Sequence, residues 1–160
     1  MARCRCRIDT GKQLTLAREL IRALRLTAAH PLPDDVARAA ALHFMDALGV
    51  GLAAAGSPVG AAYREAGRQF ASGGPATVLG MATGAAAADA ALVNGGLMHS
   101  LEFDDTHTGS IIHGSSVIAA AALAAGEAHG VTGGALLGAY VRGWEALARF
   151  GLAAPGGFHA

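Results

Sequence analysis

The chain is short of charge, aromatic rings, cysteine and long apolar runs, and each shortage excludes something. Charged residues fill 15% of its 160 positions, with twelve Lys plus Arg against twelve Asp plus Glu. A chain of zero net charge has no global field to gather nucleic acid or an anionic membrane, so neither is an expected partner. The one lysine, Lys12, stands near the start. The two cysteines, Cys4 and Cys6, are one residue apart. They cannot build a disulfide framework, and two thiols alone do not complete a structural zinc site. A reducing, cytoplasmic setting is the expectation. The most apolar stretch, Ala85 to Met98, is interrupted by Asp89 and Asn94. It is also shorter than the roughly 20 residues of a spanning helix. No apolar segment of the secretory kind follows the basic start, MARCRCRIDTGK.

Small residues are present in excess. Alanine fills about a quarter of the chain, there are 23 glycines, and hydrophobic residues reach 52%. Such a chain is too apolar for disorder and long enough for an ordinary core. Alanine favours helix and leaves little room for β-branched strands, and glycine between alanine-rich runs ends helices or lets them approach closely. The expected fold class is all-α, a packing of Ala/Gly-rich helices, with residues 1–12 a basic disordered tail and 13–160 one partial helical domain. The low charge points to further protein covering some of its surface.

Apolar spacing predicts the elements. Leu16, Leu20, Leu24 and neighbouring leucines make an amphipathic helix that ends near His30. Pro33, Asp34 and Asp35 offer a cap and an acidic first turn to a helix over about 34–54, with Val36, Ala40, Phe44, Leu48 and Leu52 as its apolar stripe. Further helices are expected over about 59–70, 85–100, 115–129 and 133–150, the last capped by Thr132. Residues 76–80 read as a short strand or an extended connector.

One segment stands apart. Between two apolar helices, residues 99–116 hold three of the seven histidines and three of the twelve acids. From the residues alone three readings stand. The segment is a polar loop whose Asp and Ser side chains cap helices, a catalytic or substrate-binding loop, or a metal site. Histidine moves a proton near neutral pH and a carboxylate orients it or acts as base. Ser115 or Ser116 would cap the following helix, whose N-terminus suits a substrate carboxylate. His107, His113 and Asp105 are chemically competent ligands for a metal-dependent hydrolase, without a fixed metal-binding spacing. His99 adjoins the segment and is a further candidate. Elsewhere the plain reading holds: His30 and His129 at helix ends, His43 packed, and Tyr140 and Trp144 in the core.

The run AADAALVNGGLMHSLEFDDTH (87–107) resembles the signature of the MmgE/PrpD family, which includes 2-methylcitrate dehydratase and cis-aconitate decarboxylase. Other pieces follow in order. They are the helix motif from Phe44 to Val50, the connector from Ala76 to Gly80, the step His113-Gly114-Ser115-Ser116, the pair Trp144-Glu145 after Gly143, and Gly157-Phe158-His159. The resemblance implies a large helical domain beside a smaller α/β domain, a homodimer or other homo-oligomer, and no metal or cofactor. It implies a lyase that dehydrates or decarboxylates a small polycarboxylate. Carried over by position, Glu102, Thr106, His113 and His159 are the catalytic candidates, with Asp104, Asp105, His107 and Ser115 shaping the site or binding substrate. Glu102 stands where aspartate is common. Gly114 stands where the family's step carries proline, which implies a looser loop. The basic residues that would hold substrate carboxylates have no counterpart here. The chain therefore reads as an amino-terminal fragment, inactive alone. The alternative is a non-catalytic helical fragment or interaction module.

Overall fold

The described residues form six helices and no strand. The structure is a computed structural model and describes residues 15–28, 30–70 and 73–154. The helices are α1 (Leu16–Ala28), α2 (Asp34–Ala55), α3 (Ala61–Phe70), α4 (Ala87–His99), α5 (Gly114–His129) and α6 (Gly133–Ala153), and they take up about 69% of the described residues. The all-α expectation is met. Two compact units divide at Pro31 and Leu32, and α1 falls in the first. It is strongly amphipathic, with Leu20 and Leu24 half-buried and Leu16, Ile21 and Leu26 exposed.

The second unit holds the other five helices. Helix α4 packs most extensively on α5 and then on α2, while α6 leans on α5 and α2. The α4 residues Ala90, Val93, Asn94, Leu97 and Met98 are buried, at the spacing of one helical face. On α5 the buried positions are small: Ala119, Ala120 and Ala124. Gly95 of α4 lies so near the Ser116 carbonyl that an added Cβ would sit 3.3 Å from it.

On α2 the buried stripe is Ala40, Phe44, Ala47, Gly51 and Ala54. The expected stripe stepped by four throughout, from Val36 to Leu52, and both of those ends are exposed. Each step of four overshoots a full turn by about 40°, so a strict run of fours rotates off the core, whereas alternating fours and threes stays on it. Pro33 sits at the N-terminus of α2 and no side chain caps it, so Asp34 and Asp35 act there only through their charge on the helix dipole. At 22 residues, with an 18-residue window of mean hydropathy 1.3, α2 is long and apolar enough to cross a membrane by those two measures. It nevertheless packs on α4, α5 and α6 through its buried stripe.

Glycine and threonine punctuate the chain as expected. Gly130 ends α5 at φ 61°, a left-handed conformation that glycine adopts freely, and the Thr132 hydroxyl accepts the Ala135 amide at 3.3 Å to start α6.

Residues 76–80 form an extended connector. One antiparallel bridge joins Ala76 to Ala85, and Val78 and Leu79 are buried. Two helices hold it. The fully buried Asn94 of α4 accepts the Leu79 amide at 2.9 Å and donates to the Thr77 carbonyl at 2.8 Å. Glu127 of α5 accepts the Thr77 amide at 2.6 Å and its hydroxyl at 2.7 Å.

Replacing Asn94 by Ala leaves the buried Leu79 amide without a partner and removes the bond to the Thr77 carbonyl, a loss of about 1–3 kcal/mol. Chemical denaturation of Asn94→Ala should show that loss, whereas a variant within 0.5 kcal/mol (about the scatter of neutral surface changes) would show that the clamp contributes little.

Candidate functional site

The loop between α4 and α5 folds back on itself. The His107 amide donates to the Ile112 carbonyl at 2.9 Å, and the Ile111 and Ser110 amides donate to the His107 carbonyl at 2.8 and 3.1 Å. The imidazole of His107 sits 2.6 Å from the Ser110 hydroxyl. Ser110 is buried against Gly151 of α6. Two non-glycine residues in the loop are left-handed, Glu102 at φ 55° and Ile111 at φ 50°. Such backbone is strained for most residues and more tolerable for aspartate.

Consecutive acids enter two different clusters. The Asp104 side chain is fully buried. Its Oδ2 lies 2.9 Å from Nδ1 of His99 and 3.5 Å from Nδ1 of His113, and its Oδ1 has no hydrogen-bond partner. The two imidazoles meet edge to face, 5.2 Å between ring centres. The Thr106 hydroxyl is 3.4 Å from Nδ1 of His113, and Glu102 is 3.6 Å from Nε2 of His99. Glu102 therefore reaches the cluster through His99. The hydrogen bond to Asp104 holds His99 above the ordinary imidazole value; partial burial opposes it, and the charges of Asp104 and Glu102 add to it.

Asp105 serves the start of α5. Its Oδ1 accepts the Ser115 amide at 2.9 Å and its Oδ2 accepts the Ser115 hydroxyl at 2.6 Å. The Ser115 oxygen also meets the Tyr140 hydroxyl, and the Trp144 indole donates to both, at 3.2 and 3.0 Å. Burial pushes the Tyr140 phenol up, against the hydrogen bonds from Ser115 and Trp144, with Asp105 and Asp46 adding to the rise. Ser115 is thus no cap. The residue before the helix is His113, whose side chain makes no capping bond. The orphan amide expected to meet a substrate carboxylate already has one of the chain's own.

Beside this second cluster lies an open cleft of about 470 Å³, with His43, Asp105, Thr106, His107, Tyr140 and Trp144 among its walls. His43 was expected to pack; it is instead more than half exposed and 3.4 Å from Asp105. Trp144 and Tyr140 do belong to the packing, Tyr140 edge-on to Phe44 at 5.3 Å, yet both also present polar atoms to the site. Gly114 does not loosen the loop. It is buried as the first residue of α5, and a Cβ there would overlap the Trp144 ring. His107, His113 and Asp105 do not form the ligand group. Among the described residues that group is His99, Asp104 and His113, because the oxygens of Asp105 are taken by Ser115. His159 lies outside the described residues.

Comparison with known families places this arrangement. The model of the MmgE/PrpD N-terminal domain matches residues 18–159. The chain belongs to the MmgE/PrpD family. No curated protein and no solved structure matches it. In this MmgE/PrpD chain the run 87–107 that resembles the family's signature spans α4 and the first part of the polar loop. The loop shares Thr106 between the two clusters, since that residue both lines the cleft and faces His113. The sequence reading of His43 as a packed residue gave no sign that it would stand beside Asp105. Sequence reasoning placed Asp104 among residues that shape the site or bind substrate, without pairing it to His99.

The His99 shift has a pH consequence with a definite sign. A folded value raised above 6.5 means that the His99–Asp104 pair stabilises fully below pH 6.5 and loses that contribution as pH rises through the folded value. Titration of the imidazole resonances should place His99 above 6.5, and Asp104→Asn should bring it back toward 6.5. A His99 midpoint unmoved by Asp104→Asn would remove Asp104 as the cause.

Proposed function

We propose that this MmgE/PrpD domain supplies the acid/base groups of a lyase that removes water or carbon dioxide from a small polycarboxylate such as 2-methylcitrate or cis-aconitate. The observation that carries the proposal is the buried Asp104 carboxylate facing two half-exposed imidazoles, with the Thr106 hydroxyl beside one of them. Dehydration needs a base for the proton alpha to a carboxylate and an acid for the departing hydroxyl; decarboxylation needs an acid for the carbon that loses carbon dioxide. His113 is the first candidate for these transfers, and His159 the second by its family motif. Glu102 and Thr106 orient the groups or the substrate. Asp105 and Ser115 fix the loop against α5 while His107 closes its turn. The neighbouring cleft has a volume usual for small-molecule sites; of the catalytic candidates Thr106 lines it, while His113 and Asp104 are not among its walls. A cytoplasmic homo-oligomer acting without metal or cofactor completes the proposal.

The decisive test is turnover of 2-methylcitrate and of cis-aconitate, followed by proton NMR, in protein carrying the family's second domain with this one. His113→Ala should lower turnover by on the order of 10²-fold or more if it transfers a proton. Near-wild-type turnover in that variant would take His113 out of the mechanism.

The oligomer has its own support. Leu42, Met45, Leu92, Phe103, Val117 and Phe150 are each more than half exposed. Scattered exposure is common, but this many large side chains on one small domain favour a covered surface. Sedimentation of the 15.9 kDa chain should show a species of at least twice that mass. A single monomeric boundary at high concentration would overturn self-association.

A further inference from the structure

We infer that His99, Asp104 and His113 form a binding site for a divalent transition-metal ion of the zinc class, and that an ion held there blocks proton transfer at His113. The binding stands without the lyase reading; the block rests on it. In this role the ion is a competitor of the reaction rather than its cofactor.

The donor set comes first. Two imidazoles and one carboxylate suit zinc and its neighbours, whereas calcium and magnesium take oxygen donors. One ligand atom from each residue lies within 4.8 Å of the others. Two of the edges are 2.9 and 3.5 Å, from Oδ2 of Asp104 to each Nδ1. Bonds of about 2.0–2.2 Å in a tetrahedron give edges of about 3.4 Å. Two of the three edges lie near that value and the third is no longer than 4.8 Å, so ring rotation is what would close the set on one ion.

The carboxylate gives a second, independent reason. The Asp104 side chain has no exposure to solvent, and its Oδ1 lacks any hydrogen-bond partner. A buried carboxylate with one oxygen unpaired is costly, and a cation on Oδ2 offsets its buried charge, with Oδ1 gaining a partner where the carboxylate binds the ion through both oxygens. The surroundings then match what a ligating imidazole needs. His99 has Glu102 3.6 Å from its other ring nitrogen, within ion-pair reach on the side where ligating imidazoles usually find a carboxylate. His99 closes α4 and His113 precedes the first turn of α5, so helix ends hold both rings. Their side chains are 47% and 38% exposed, which leaves a path for the ion and a position for water. An ion on Nδ1 of His113 takes the lone pair that the Thr106 hydroxyl otherwise faces and that a proton would need.

The test uses the 160-residue chain with Cys4→Ser and Cys6→Ser, so that no thiol takes the metal. Zn²⁺ is titrated calorimetrically and Co²⁺ is followed by its visible absorption. One ion per chain is expected, with a Co²⁺ band of low-coordinate nitrogen and oxygen ligation and no response to Mg²⁺. His113→Ala and His99→Ala should each weaken binding at least about 10-fold, since even the loss of outer-shell partners costs that much. His129→Ala, at the exposed end of α5, should leave it unchanged. Affinity unaltered by His113→Ala, or lost equally with His129→Ala, overturns the site. Circular dichroism checks each variant, and His113→Gln replaces His113→Ala if that chain does not fold. In the active two-domain protein, Zn²⁺ should inhibit and a chelator should restore turnover. Zn²⁺ binding at these residues without inhibition overturns the block alone. Zn²⁺ binding in a protein that turns over no polycarboxylate upholds the site and counts against the lyase reading instead.

Discussion

The carboxylate of Asp105 on the first turn of α5 is the contact on which the rest of the site depends. It satisfies one of the amides a helix start leaves open and the Ser115 hydroxyl as well. Through the Ser115 oxygen it reaches Tyr140 and Trp144 of α6, and through the Tyr140 ring it reaches Phe44 of α2. One loop side chain thereby fixes three helices against each other. The neighbouring Asp104 is carried with it. Asp105 turns to the start of α5, while Asp104 faces His99 and His113.

The small-residue helices make this possible. Alanine and glycine faces bring α4 and α5 close and contribute no polar side chains beyond Asn94, Ser115 and Ser116 at the buried positions of those two helices. Chemistry is left to the connecting segment, where strained backbone at Glu102 and Ile111 is tolerated because the surrounding bonds over-determine it. A rigid scaffold carrying a polar loop is a common way to hold reactive groups.

The fold was legible to the extent that it is local. Alanine content, apolar spacing, Gly130 and Thr132 specify helices and their ends from neighbouring residues. The elements that were misjudged depend on partners distant in the chain. Asn94 looked like an interruption of an apolar run because its partners lie 15 and 17 residues away, on a connector with no periodicity of its own. Ser115 looked like a cap because the acid that replaces it is ten residues earlier. His43 sits on a helix far from the polar segment, and only the packing of α2 beside the loop brings it to Asp105. The family signature located the loop, but it could not show that Asp104 and Asp105 belong to separate clusters.

Two glycines of this domain are shaped by rings rather than by backbone freedom. At Gly114 the space of a side chain is filled by Trp144, and at Gly96 it is filled by Tyr63. Each pair is one volume divided between two helices. A relative that carries a larger residue at either glycine has to surrender bulk at the matching ring or move the helices apart, since close-packed interiors leave no slack. Such positions are expected to change together over evolutionary descent. In the Gly114–Trp144 pair the exchange has a chemical side, because the ring that would shrink carries the indole donor to Ser115 and Tyr140. Lineages that trade this volume therefore also have to find another donor for those two oxygens.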